Sequence, residues 1–302
     1  MKHMQGVDPI VDEIPEKHYL LFDHPIITMI VMFLLFLGID TLIILGANYA
    51  GLPIQGEYKQ LINAAAMTVS ALILAIFFKL RFNSTYDGMF GWSTVGLLMV
   101  LPALAFVVHN LYEVDKMQFV FLDPEEKMNP ILNCVIMALA PGVSEEILFR
   151  GIPGANWMRV ADDEGDVMKC ALVTSVAFGL IHGINALSGA PIFATIFQVC
   201  YAALLGFFFS AVFLRTGSIW PTMIAHTLID FAGFLFMDLS KNGLLTEELV
   251  IDTDFFVTCG LVAVVALLGL IMLRRSKREQ ILQLWHRKWH QSGVVEQSRF
   301  RY

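Results

Sequence analysis

Glu145, Glu146 and Arg150 fall in the stretch PGVSEEILFRG, Pro141 to Gly151, at the end of an otherwise apolar run. Two more polar groups follow: Phe178 and His182 in FGLIHG, and His226 and Asp230 in WPTMIAHTLIDFAGF. Ionisable side chains are costly in hydrocarbon, so within spanning helices they face a cavity or a partner. Residues i and i+4 share a helix face, whereas adjacent residues point about 100° apart. This spacing pairs Glu146 with Arg150, Phe178 with His182 and His226 with Asp230. Glu145 lies on another face and is left free to point into a bundle.

Each group has a plain structural explanation. The first could be a charge cluster snorkelling at a helix end, His182 a hydrogen-bonded core histidine, and His226–Asp230 a buried pair that fixes packing. Together they offer one free carboxylate, two imidazoles and a further carboxylate, enough to activate water and stabilise an oxyanion. Pro141 and Gly142 loosen the helix just before the acidic pair, and Gly179 and Gly183 flank His182 with room for close approach. No GxSxG or HExxH occurs, and Ser144 and Cys170 lack the context of nucleophiles. Water driven by Glu145 onto a carbonyl is the expected chemistry.

The elements that must position these residues are spanning helices. Of 302 residues 57% are hydrophobic and 16% charged, against about 25% charged in a soluble domain. The fold class is therefore all-α, a polytopic membrane protein. A spanning helix needs about 20 mostly apolar residues, and eight candidates meet that requirement: 25–47, 61–79, 92–112, 131–152, 168–187, 191–214, 217–237 and 254–273. With both tails inside, sixteen of the 20 basic residues fall on the inner side, as the positive-inside rule requires. The expected organisation is a cytoplasmic N-terminal tail over 1–24, a membrane domain over 25–273 and a basic amphipathic C-terminal tail over 274–302. In that tail Ile281, Leu282, Leu284, Trp285 and Trp289 can share one face, suited to an anionic membrane surface or to a partner.

Other features exclude or lower further classes. The net charge of −7 argues against nucleic acid as a partner. The acidic, prolyl N-terminus has no secretory signal pattern. Cys134, Cys170, Cys200 and Cys259 are isolated, with no CxxC, and are expected to be small core residues. Asp40, His109 and Asn133 are expected to be packing or cavity-lining groups. Trp92 and Trp220 suit the interfacial belt.

Taken in order, EEILFR, FGLIH and HTLID resemble the EExxxR, FxxxH and HxxxN/D motifs of the type II CAAX prenyl endopeptidases and their bacterial relatives, the CPBP (Abi) intramembrane proteases. The resemblance covers about residues 131–237. It implies that Glu145 is the general base for water, assisted by His182. His226 and residue 230 would bind the oxyanion, with Glu146 and Arg150 in support. One position departs: well-known members carry asparagine where this chain has Asp230. An ionised aspartate cannot donate to an oxyanion. Asp230 would then be protonated, orient His226, or join His182 and His226 as a zinc set with an open position. Metal-free chemistry without a cofactor is preferred, because the acidic pair supplies a base by itself.

The expectation is thus an intramembrane endopeptidase, multi-pass, in a bacterial plasma membrane. Its substrate would be a membrane-associated or lipidated peptide, its surroundings the lipid bilayer, and its oligomeric state is not legible. The alternatives are a non-catalytic peptide-binding protein or chaperone of the same fold, and a proton-coupled transporter using Glu145, His182 and His226 as a relay. Depth is the one strain: counting at about 1.5 Å per residue separates Glu145 from His182 by roughly 10 Å.

Overall fold

The computed structural model describes residues 20–52, 58–82, 88–115, 130–187, 189–240 and 249–291. Residues 1–19, Lys116, Lys127, most of the acidic segment DPEEKMNP, Lys241 and the last eleven residues, 292–302, lie outside them. The described residues are nearly all helical and include no strand. A chain so apolar must satisfy its backbone internally, and helices do this within each segment.

The long helices are α1 (Pro25–Tyr49), α2 (Tyr58–Phe82), the pair α3 (Thr94–Val100) and α4 (Ala105–Asp115), and α5 (Pro130–Glu146). A π-helical turn, Ile147–Gly151, joins α5 to α6 (Ile152–Val160). There follow α7 (Glu164–Ile181), the short α8 (Ile184–Leu187), α9 (Ile192–Thr216), α10 (Trp220–Ser240), α11 (Thr253–Met272) and α12 (Arg275–Gln291). Among the described residues seven helical stretches are long and apolar enough to cross a membrane. The eighth expected stretch, 217–237, is occupied by α10.

Local sequence sets several boundaries. Asp163 caps α7 by accepting from Gly165 and Asp166 backbone N–H groups, and the Asp166 side chain completes a capping box. Gly217 ends α9 at φ +61°, where its N–H reaches the Phe213 carbonyl at 2.7 Å. Asp252 caps α11 through the Phe255 N–H.

The bundle has two distinguishable ends. At one, Asn156 donates to the Phe22 carbonyl at 2.8 Å, Arg159 pairs with Asp23 at 2.9 Å, and Ile219 N–H reaches the Met89 carbonyl at 2.8 Å. Lys79, Arg81, Lys169 and Arg215 stand at this end, beside the basic α12. At the other, Asn133 donates to Gln60 at 3.2 Å, Asn185 to Gln198 at 2.8 Å, and His109 contacts Asp254 at 2.7 Å.

The apolar face of α12 rests on the protein instead of facing away from it. Ile281, Trp285 and Trp289 are fully buried among residues that include Ile152, Met158 and Phe213. The Trp285 indole donates to the Leu214 carbonyl at 3.0 Å and the Trp289 indole to the Ala155 carbonyl at 3.1 Å. Both tryptophans meet the requirement that a buried indole N–H find an acceptor. Of the cysteines, Cys134 and Cys170 are buried as expected, Cys259 is half-buried and Cys200 is exposed.

Candidate active site

Close packing of α5 on α10 brings the acidic pair to the histidine. Gly142 makes this approach possible: a Cβ there would collide with the Thr227 hydroxyl and come within 2.9 Å of its backbone nitrogen. Gly179 does the same between α7 and α9, where a Cβ would lie 2.6 Å from the Val199 carbonyl oxygen. Small residues at such crossings let backbones approach.

Glu146 and Arg150 pair at 2.9 Å with both side chains fully buried, as their spacing predicts. The guanidinium lies over the Phe178 ring, 4.0 Å from its centroid, a cation–π arrangement favoured for Arg in a dry site. Glu146 also reaches His226, Oε1 to Nδ1, at 3.1 Å. The other ring nitrogen of His226, Nε2, is 3.4 Å from Asp230 Oδ2 and 3.9 Å from Glu145 Oε2. Three carboxylates therefore surround one imidazole. Glu145 does not share the pair with Arg150, which agrees with its expected separate face.

His182 follows α7 directly, and its backbone N–H bonds to the Gly179 carbonyl at 3.1 Å. Its ring Nδ1 lies 2.9 Å from the Phe178 carbonyl. A carbonyl only accepts, so Nδ1 carries the proton and Nε2 of a neutral ring is left as an acceptor. Phe178 links the groups: its centroid is 5.1 Å from the His182 ring, 5.7 Å from that of His226 and 5.5 Å from that of Phe149.

The sequence hid how far the helix carrying Glu145 runs. The helix carrying Glu145 does not stop near 152. It continues through the π-turn to Val160, and Glu145 sits at the middle of the stretch Ile131–Val160. A π-turn is often found at functional sites, and here it carries Arg150.

Tyr201 was not anticipated. It sits on α9, partly buried, with its ring 5.6 Å from that of Phe197. A tyrosine in an apolar helix has no polar partner at i±4 that would mark it. Ser144 and Cys170 are buried, and each turns its side chain to a carbonyl of the helices around it, Ala140 and Gly154 respectively. Among the described residues no three His, Cys, Asp or Glu side chains are arranged to hold a metal ion. Of the expected zinc set, His226 has Nδ1 3.1 Å from Glu146 Oε1 and Nε2 3.4 Å from Asp230 Oδ2.

No curated protein and no solved structure matches the chain. Residues 127–232 match the family model described as type II CAAX prenyl endopeptidase Rce1-like. That interval contains Glu145, Glu146, Arg150, Phe178, His182, His226 and Asp230. The chain is a multi-pass membrane protein whose site-bearing segment is similar to the Rce1-like family of proteases.

Proposed function

We propose that the protein is an intramembrane endopeptidase in which Glu145 activates water for attack on a peptide carbonyl. The observation that carries this is the placement of Glu145: a carboxylate outside the Glu146–Arg150 pair, 3.9 Å from His226 Nε2 and partly open. Glu145 takes a proton from water as the oxygen adds to the carbonyl carbon. His182, with Nδ1–H held by the Phe178 carbonyl, offers Nε2 as an acceptor that helps hold the water. Negative charge collects on the former carbonyl oxygen. His226 Nε2–H can turn to it from its long contact with Asp230, and a preorganised donor is most effective there. Glu145 then returns the proton to the amide nitrogen as the C–N bond breaks. Asp230 acts by orienting His226, and Glu146 with Arg150 holds the opposite ring nitrogen.

No cofactor enters this scheme. The substrate is a membrane-associated or lipidated peptide, and a bacterial plasma membrane suits the short loops. Glu145→Gln tests the proposal in purified protein incubated with lipidated and unmodified peptides. Cleavage falls by about 10²–10⁴-fold, the usual contribution of a general base, while thermal unfolding is unchanged. A variant that cleaves at the wild-type rate would remove Glu145 from the chemistry.

A further inference from the structure

Exposure within the site falls in one direction. The Asp230 and Glu145 side chains are 24% and 18% exposed, His226 7%, and Glu146 and Arg150 none. This order follows position along the helices. On α10, Asp230 lies one turn farther than His226 from the end where Trp220 begins the helix. On the α5–α6 stretch, Glu145 lies farther than Arg150 from the end at Val160. His182 stands at the opposite end of α7 from its cap at Asp163.

Beyond Arg150 toward the basic end the interior is shut. Ile152, Ala155 and Met158 are fully buried, and Trp285 and Trp289 of α12 lie across them. At the other end the residues that follow His182 include exposed apolar side chains, Leu187 at 88% and Phe193 at 67%. The closed end carries Lys79, Arg81, Arg159, Lys169 and Arg215 as well as α12, whereas Lys59 is the basic residue at the open end among those described. Lys and Arg mark the cytoplasmic side of a membrane protein.

We propose that the pocket opens away from the cytoplasm and takes its peptide from the non-cytoplasmic half of the bilayer. The substrate is an apolar, membrane-anchored segment whose scissile bond is exposed on that side; this specification rests on the hydrolytic function proposed above. The apolar side chains at that end meet the anchored segment, and Asp230 and Glu145 are the first polar groups it reaches.

Side-directed thiol labelling tests the orientation. In the full chain with Cys134, Cys170, Cys200 and Cys259 replaced by Ala, single variants Asp230→Cys, Asn185→Cys, Leu187→Cys and Gln283→Cys are treated with a charged, impermeant methanethiosulfonate. Sealed right-side-out vesicles are compared with inverted ones. The first three are modified only in right-side-out vesicles, and Gln283→Cys, on the outer face of α12, only in inverted ones. Modification of Asp230→Cys or Asn185→Cys only in inverted vesicles overturns the proposal, and Leu187→Cys carries the test if the pocket variants do not fold. Labelling needs no turnover, so it is independent of hydrolysis. Wild-type protein in the same vesicles is then offered anchored peptides from each side. Cleavage only from the cytoplasmic side upholds hydrolysis and overturns the proposed access. Outward labelling with no cleavage by wild type or Glu145→Gln sinks the hydrolase and leaves the orientation standing.

Discussion

Asp230 is where this chain departs from the motif it otherwise follows, and the contacts around it give the departure a physical meaning. Its Oδ2 faces His226 Nε2 at 3.4 Å, while Glu146 faces Nδ1 at 3.1 Å. With carboxylate oxygens toward both nitrogens, each nitrogen is best used as a donor. An asparagine could still accept from Nε2 through its oxygen and would add an N–H donor toward the oxyanion. Asp230→Asn is therefore expected to retain cleavage within about tenfold of wild type, a shift of about 1.4 kcal/mol in the barrier. Exhaustive chelation should leave the activity of each protein unchanged. Peptide turnover before and after chelation measures this; loss in both treatments, restored only by zinc, would make Asp230 a metal ligand.

At the scale of elements, one missing Cβ sets the distance between the acidic pair and its histidine. Gly142→Ala would drive a methyl group into Thr227 of α10. Overpacking of this kind costs about 1–3 kcal/mol, and here it also moves Glu145 and Glu146 from His226. The variant should unfold at lower temperature in detergent and lose activity, with part of both recovered on adding Thr227→Ala. Equal stability of the single variant and wild type would show that α5 and α10 can separate freely. Much of this level was legible beforehand. The expected stretches 25–47 and 254–273 lie within a residue or two of α1 and α11, because long apolar runs have no other stable form in lipid. The i+4 pairs were equally readable, since one helix determines them. The π-turn was not: Ile147–Gly151 has the composition of any apolar helix, and only packing decides the extra residue per turn.

At the scale of the whole molecule, α12 closes the basic end. Its amphipathic pattern was plain in the sequence, but a bilayer and a protein surface are both apolar, and the pattern does not say which one covers it. The burial of Trp285 and Trp289 answers that. Trp289→Ala would leave a cavity among Phe78, Phe82 and Ala155 and remove the indole donor to the Ala155 carbonyl. A loss of about 3–5 kcal/mol is expected, read as a fall in thermal unfolding temperature, and an unchanged midpoint would mean that α12 is dispensable. The dry layer under Arg150 has one more effect. A hydrolase in a membrane must admit water without passing ions. Among the described residues no hydrogen bond joins His182 to His226: one ring is committed to a backbone carbonyl, the other to carboxylates, and both lean on the phenyl ring of Phe178. The Glu145 side chain is partly exposed, whereas Ile152, Met158 and Trp289 beyond Arg150 are fully buried and carry no titratable group, so that layer offers a proton no side chain to hop onto.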